Sequence, residues 1–295
     1  MKNAKIVFLV GVFAAFIYPY GALYLQDYLV PVLMVMMTFS IKDIGFRHIK
    51  HDQMKTIGYL VLFNYVLLTG LYILFALLFI KHEPFQRSLM VLGMMPPAVG
   101  IISMSYILKA DVKAGFIAEF IGYLVAIFAI PLLSFLLLAD TIDIIKILQV
   151  LLFVIVVPFL VSRMMHHVEL KTKPIKARTS RFIVTVMYAI SFYIIIGLNF
   201  DLIVHHFSVL IPVLLVLITL KFILGGAIYL YLKNRIKKSI DILFVLFGTM
   251  KNGGAATAIT FLLFGTPSTP PLAVNAILVP FYLIFLEWFI LEKFK

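Results

Sequence analysis

Met94-Met95-Pro96-Pro97-Ala98-Val99-Gly100 and Gly248-Thr249-Met250-Lys251-Asn252-Gly253-Gly254-Ala255-Ala256-Thr257 each interrupt a long apolar run with residues that a continuous helix disfavours. Proline lacks an amide donor, and glycine permits unwound backbone. Each interruption falls near the middle of its run. Backbone freed at membrane depth is tolerated only where it is buried in protein or lines a wet cavity. Amides freed at a half-helix N-terminus then suit an anion. The competing reading is a proline kink in the first stretch and a small-residue packing face in the second.

The rest of the chain agrees with a membrane setting. Of its 295 residues, 63% are apolar and 13% are charged, about half the charged share of a soluble domain. Mean hydropathy is +1.12, more than a soluble fold of this size can hide from water. These values exclude a secreted, nucleic-acid-binding or ordinary cytosolic protein. There is no cysteine, so disulfides, thiolate nucleophiles and cysteine-ligated metals are excluded. The first apolar run, Ile6 to Leu25, is too long for a signal-peptide core and reads as a retained span.

Apolar runs separated by charge or Pro/Gly clusters predict ten spans, at 6–25, 28–41, 56–80, 88–108, 114–138, 146–162, 182–199, 207–232, 240–264 and 272–291. With ten spans, one face holds both termini and the loops after spans 2, 4, 6 and 8. That face carries 20 of the 25 basic residues, including Lys171 to Arg181. The positive-inside rule therefore places both termini in the cytoplasm, in a multi-pass protein of the cell inner (plasma) membrane. The net charge of +12 is then mostly a topology signal.

Five spans per half is an odd number, so similar halves would be oppositely oriented, as in secondary transporters. The predicted fold is all-α, with ten transmembrane helices in two inverted five-helix repeats, residues 1–145 and 146–295. Spans 4 and 9 are its broken helices.

Three stretches carry a resemblance. Pro31 to Ile44, then Pro96 to Ser103 with Tyr106 to Val112, and Met250 to Ala256 are together similar to the bile acid:sodium symporter family, within the larger group that includes auxin-efflux-type carriers. The resemblance covers most of the chain. It implies a panel domain (about 1–50 and 146–200), a core domain (about 55–140 and 207–292) with crossing spans 4 and 9, and an organic-anion substrate between them. The sodium-ligand positions of the family fall here on Ile101, Ile102, Phe247, Lys251, Asn64, Gly115 and Glu119. Isoleucine and phenylalanine side chains supply no oxygen, so the pattern that specifies sodium is absent.

Lys251 is the sharpest single residue, about ten residues from either end of its span and too deep to snorkel. It reads as a fixed cation substituting for sodium, against the plainer reading of a structural lysine held by carbonyls. Glu119 is its candidate counter-charge if span 5 packs beside the crossing. As a pair they would either share one proton or stand as an ion pair. The predicted substrate and coupling site is Lys251, Glu119, Asn64, Asn252, Pro96, Pro97, Gly253, Gly254, Ser103 and Thr257. Lys221 and Asn275 are secondary candidates, and Glu287 reads as interfacial. His166, His167, His205 and His206 read as loop residues on opposite faces that cannot share a metal. No metal or cofactor is expected, and no zincin, intramembrane-protease or prenyl-transferase motif predicts an enzyme. The expected function is a sodium-independent secondary transporter of organic anions. The alternatives are a sodium-coupled symporter of the same family and a channel or sensor on a transporter scaffold.

Overall fold

The computed structural model describes residues 4–42, 51–138, 145, 148–149, 152–169, 175–233, 235 and 237–292. Among them the chain is helical, apart from turns and one isolated antiparallel bridge. Six helices are long and apolar enough to cross a membrane: Gly21–Ser40, Met54–Phe79, Val112–Leu138, Arg178–Leu198, Phe207–Leu232 and Pro270–Leu291. Large apolar side chains point outward along them, Phe128 at 78% and Val66 at 68% exposure among others. A surface of that kind is stable only against hydrocarbon. The chain is a multi-pass helical membrane protein.

Helix α1 (Ala4–Ile17) ends earlier than expected, because Pro19 stops it. The chain turns over residues 18–20, and α2 fills 21–41. The boundary between the first two spans therefore lies seven or so residues upstream of 25–28. Helix α3 occupies 51–79 and contains a π-turn at Phe63–Leu68. The fourth apolar run is two helices, α4 (Glu83–Met94) and α5 (Gly100–Ile107), with Glu83 and Pro84 opening the first. Helix α6 (Val112–Leu138) follows, then α7 over 152–169. The expected start of span 6 at 146, with Asp140 and Asp143 before it, lies outside the described residues.

His166 and His167 are helical rather than in a loop, since α7 continues to Glu169. Its last turn is held by Lys42, whose Nζ donates to both Glu169 oxygens at 2.8 Å. Helix α8 (Ala177–Leu198) is followed by a short helical turn ending at His205, then α9 over 207–232, with a second π-turn at Thr219–Ile223. The ninth apolar run is again two helices, α10 (Lys238–Phe247) and α11 (Gly253–Phe264). Helix α12 fills 270–292.

Helix α8 packs on α1 and α2, and α2 on α7. Helix α3 packs on α4 and α6, and α12 on α9 and α11. Helix α12 also touches α1 and α8, and α11 touches α2. The two interrupted runs therefore sit with one side toward α3 and the other toward α1 and α8.

Candidate functional site at the helix crossing

Met95 leaves α4 in an extended conformation, and the two prolines that follow cannot donate to a helix ladder. Their freed partners find each other across the molecule. The amide of Ala98 donates to the Met250 carbonyl at 3.2 Å, and the amide of Asn252 donates to the Pro96 carbonyl at 2.9 Å. Pro97 and Lys251 thus face each other in an antiparallel bridge. Two extended segments satisfy one another at a depth where water would otherwise be needed.

The unwound part of the second run is Gly248 to Asn252, upstream of where its glycines place it. Gly253 and Gly254 already belong to α11. They serve close packing instead: a Cβ on Gly253 would lie 2.6 Å from Asn275 Nδ2, and one on Gly254 would lie 2.6 Å from Leu33 Cδ2. Asn252 caps α11, its Oδ1 accepting from the Ala255 amide at 3.0 Å. Its Nδ2 donates to the Tyr123 hydroxyl at 3.1 Å, and that hydroxyl donates to the Pro97 carbonyl at 3.2 Å. Asn252 is fully engaged in holding the crossing.

Four half-helix ends meet here, two of each polarity. The C-terminal ends of α4 and α10 converge on the π-turn of α3. The Lys251 ammonium donates to Asn64 Oδ1 at 2.7 Å and to Thr69 Oγ1 at 2.9 Å. Each acceptor passes its own proton to a helix end. Asn64 Nδ2 donates to the Phe247 carbonyl at 2.7 Å, and Thr69 Oγ1 donates to the Gly93 carbonyl at 2.8 Å. The Tyr65 ring lies 4.8 Å from the ammonium, and its hydroxyl donates to the Gly122 carbonyl at 2.8 Å. One positive charge is therefore relayed through neutral groups to the negative ends of two helix dipoles. The π-turn makes this reach, because its wider turn presents Asn64, Tyr65 and Thr69 toward the crossing.

The N-terminal ends of α5 and α11 face the other way. Gly100, Gly253, Gly254 and Thr257 line a cavity of about 40 Å³. Its far walls are Phe8 of α1 and Tyr188, Ser191 and Phe192 of α8. Lys221 from the π-turn of α9, Asn275 of α12, and Met250 and Lys251 of the crossing also line it. Lys221 is 2% exposed, and the ring of Tyr282 lies 5.8 Å from its Nζ. The Oδ1 of Asn275 is buried without a hydrogen-bond partner.

The expected pairing of Lys251 with Glu119 is not found. No ion pair joins them among the described residues, and Lys251 is held by uncharged oxygens. Glu119 is 1% exposed, no side chain donates to its carboxyl oxygens among the described residues, and the backbone amide of Ile102 in α5 faces it. Its electrostatic neighbours are Tyr123 and Tyr188. Lys251 and Asn64 share one hydrogen-bond network, while Lys221, Asn275, Gly253, Gly254 and Thr257 line the cavity, of which Lys251 also forms part of the wall. Pro96, Pro97 and Asn252 lie between them. The side chain of Ser103 lies outside the described residues. Thr69, Tyr65, Tyr123 and Tyr188 were absent from the sequence reading. Thr69 and Tyr65 stand in the same π-turn region as Asn64, but no local pattern announces a π-turn.

No protein-family model matches the chain, and no curated protein matches it.

Proposed function

We propose that the protein is a secondary transporter of organic anions that works by alternating access without sodium. One observation carries this reading: two interrupted helices cross with their C-terminal ends around a fixed ammonium and their N-terminal ends around a cavity. Broken helices whose positive ends point at a buried cavity are the anion sites of secondary transporters. The cavity lies between the crossing and the α1–α8 pair, where rocking of one body against the other would open it to either side.

The same reading includes a ten-span fold of two inverted five-helix repeats. Matching features recur at matching places. The spans Met54–Phe79 and Phe207–Leu232 have 26 residues each, and each holds a π-turn with a buried polar residue, Asn64 and Lys221. Each is followed by a broken run, and then by a long helix with an internal proline, Pro131 and Pro280. The α1, α2, α7 and α8 group would form the panel, and the remaining helices the core. The concentration of Lys and Arg in alternate loops supports both termini in the cytoplasm of a plasma-membrane protein. The resemblance to the bile acid:sodium symporter family supports the same plan.

Lys251 substitutes in this reading for a sodium ion. It stands where a cation can balance the convergent carbonyl ends, and being tethered it is not transported. Counterflow in proteoliposomes tests the reading, with an organic acid chosen by thermal-shift screening. Acceleration of labelled uptake by unlabelled acid on the far side is expected. Flux without such trans-stimulation marks a channel and overturns it.

A further inference from the structure

Two buried lysines approach the crossing, and their polar surroundings differ. Lys251 gives its protons to Asn64 and Thr69. Lys221 is equally deep, yet no carboxylate pairs with it among the described residues, and the Tyr282 ring 5.8 Å away is its recorded electrostatic contact. An ammonium left without a counter-charge in a dry interior costs several kcal/mol. That cost is recovered if an anion enters beside it. The cavity wall also contains Gly100 of α5 and Gly253, Gly254 and Thr257 of α11, all at the N-terminal ends of their helices.

A second unsatisfied group has the complementary demand. Asn275 Oδ1 is an acceptor with no donor, and Asn275 is 3% exposed on the same cavity. Buried polar atoms in native structures have partners, and the exceptions call for an explanation. An anion alone would answer Lys221 and repel the amide oxygen. A ligand with a carboxylate and an adjacent hydroxyl or ammonium answers both. Apolar neighbours such as Phe192, Leu272, Val279 and Leu283 leave little room for a second charged group on the rest of the ligand.

We propose that Lys221 and Asn275 form the ligand-binding site of this cavity, and that it takes a small carboxylate carrying its own hydrogen-bond donor. Lys221 forms the charge-assisted bond to the carboxylate, and Asn275 Oδ1 accepts from the donor. Lys251 also lines this cavity, but its Nζ is already committed to Asn64 and Thr69, which leaves Lys221 as the lysine that touches the ligand. The role of this binding in transport rests on the carrier reading, but the binding itself does not.

The probes are glycolate and acetate, which differ by one hydroxyl. Each is added as a choline salt to the purified full chain in detergent, at ionic strength held constant with choline chloride, and thermal stability is followed. The wild type is expected to show saturable stabilisation by both acids, with glycolate about two- to tenfold tighter, the worth of one neutral hydrogen bond. Lys221→Met should weaken both by roughly tenfold to a hundredfold, the loss of a charged partner, while Lys221→Arg retains part of the affinity. Asn275→Ala should bring glycolate down to the level of acetate. The proposal is overturned if neither acid stabilises the wild type, if Lys221→Met binds both as the wild type does, or if Asn275→Ala keeps the preference for glycolate. Monodisperse elution of each variant shows that it is folded, and Lys221→Gln replaces Lys221→Met if the latter aggregates. Normal binding without counterflow leaves this site standing and removes the carrier reading alone.

Discussion

Lys251, at the break of the ninth apolar run, and Lys221, in the π-turn of α9, are both buried lysines, at 4% and 2% exposure, and their surroundings differ. Lys251 is surrounded by acceptors that in turn satisfy helix-end carbonyls. Lys221 faces a cavity with an aromatic edge and an amide that lacks a partner. The first arrangement resembles a structural pin, the second a vacancy for a ligand. Burial by itself therefore does not separate a cation that holds a fold from one that serves binding. The partner list does.

The largest effect is expected from removing the pin. In Lys251→Met, Asn64 Oδ1 and Thr69 Oγ1 lose a charged donor, and the convergent ends of α4 and α10 lose their compensating charge. Two such bonds make a Tm drop of about 5–10 °C the expected result, read by thermal unfolding in detergent. Any loss of anion binding in this variant would then follow from a loosened crossing. An unchanged Tm would mean that the lysine is not a pin, and the comparison would fail at its first term.

Lys221→Met should move the same measurement the other way. It removes a buried charge that no carboxylate pairs with among the described residues and leaves an apolar side chain among apolar neighbours. Replacing buried charge with well-packed apolar groups is often neutral or stabilising. A rise of roughly 2–5 °C without ligand is expected, together with the loss of glycolate stabilisation. Equal destabilisation by the two methionine variants would erase the distinction between the lysines.

Glu119 sharpens the comparison from the acidic side. Its carboxyl is buried, faces the Ile102 amide of α5 and is separate from Lys251. Glu119→Gln keeps the shape and removes only the capacity to ionise. A Tm within about 2 °C of the wild type is expected, since surface-like changes of this size are the norm where no partner is lost. A drop as large as that of Lys251→Met would show that the two residues act as a pair.

Much of this was legible in the chain. Pro96 and Pro97 cannot join a helix ladder in any context, so a break there follows from covalent structure alone. A lysine ten residues from either end of an apolar run must have partners inside the membrane. What was not legible is direction. Gly253 and Gly254 suggested unwound backbone, but they sit where α2 and α12 approach too closely for a Cβ, and that is decided by packing partners far away in sequence. Asn252 looked like a ligand and is a cap, because its side chain turns back on its own helix. Lys251 turns toward α3 because a π-turn there offers two oxygens and a ring, and Glu119 lies beyond its reach. The recurrence of π-turns at Asn64 and Lys221 is visible only once both backbones are described. Pro19, by contrast, was a readable stop signal for the first helix, and a boundary set by hydropathy alone passed over it.

The smallest expected effect is that of sodium itself. A sodium ion requires several oxygens converging on one point, and the crossing has committed its oxygens elsewhere. The Phe247 carbonyl is taken by Asn64, the Pro96 and Met250 carbonyls by the amides of Asn252 and Ala98, and the Pro97 carbonyl by Tyr123. Ile101 is fully buried and brings no oxygen in its side chain. The remaining site of negative potential between the helices is the Lys251 network, where an ammonium already stands and would repel a second cation by several kcal/mol at ~4 Å in an environment of intermediate polarity. Glycolate binding by the purified chain should therefore change by less than about twofold, under 0.5 kcal/mol, when sodium replaces choline or potassium. A tenfold gain in sodium would contradict this, and it could still be located. Glu119 is a buried carboxyl whose electrostatic neighbours are Tyr123 and Tyr188 at the crossing, so a sodium response that disappears in Glu119→Gln would place the ion there. One that disappears in Lys251→Met instead would mean that the ammonium was not substituting for a cation but opposing one.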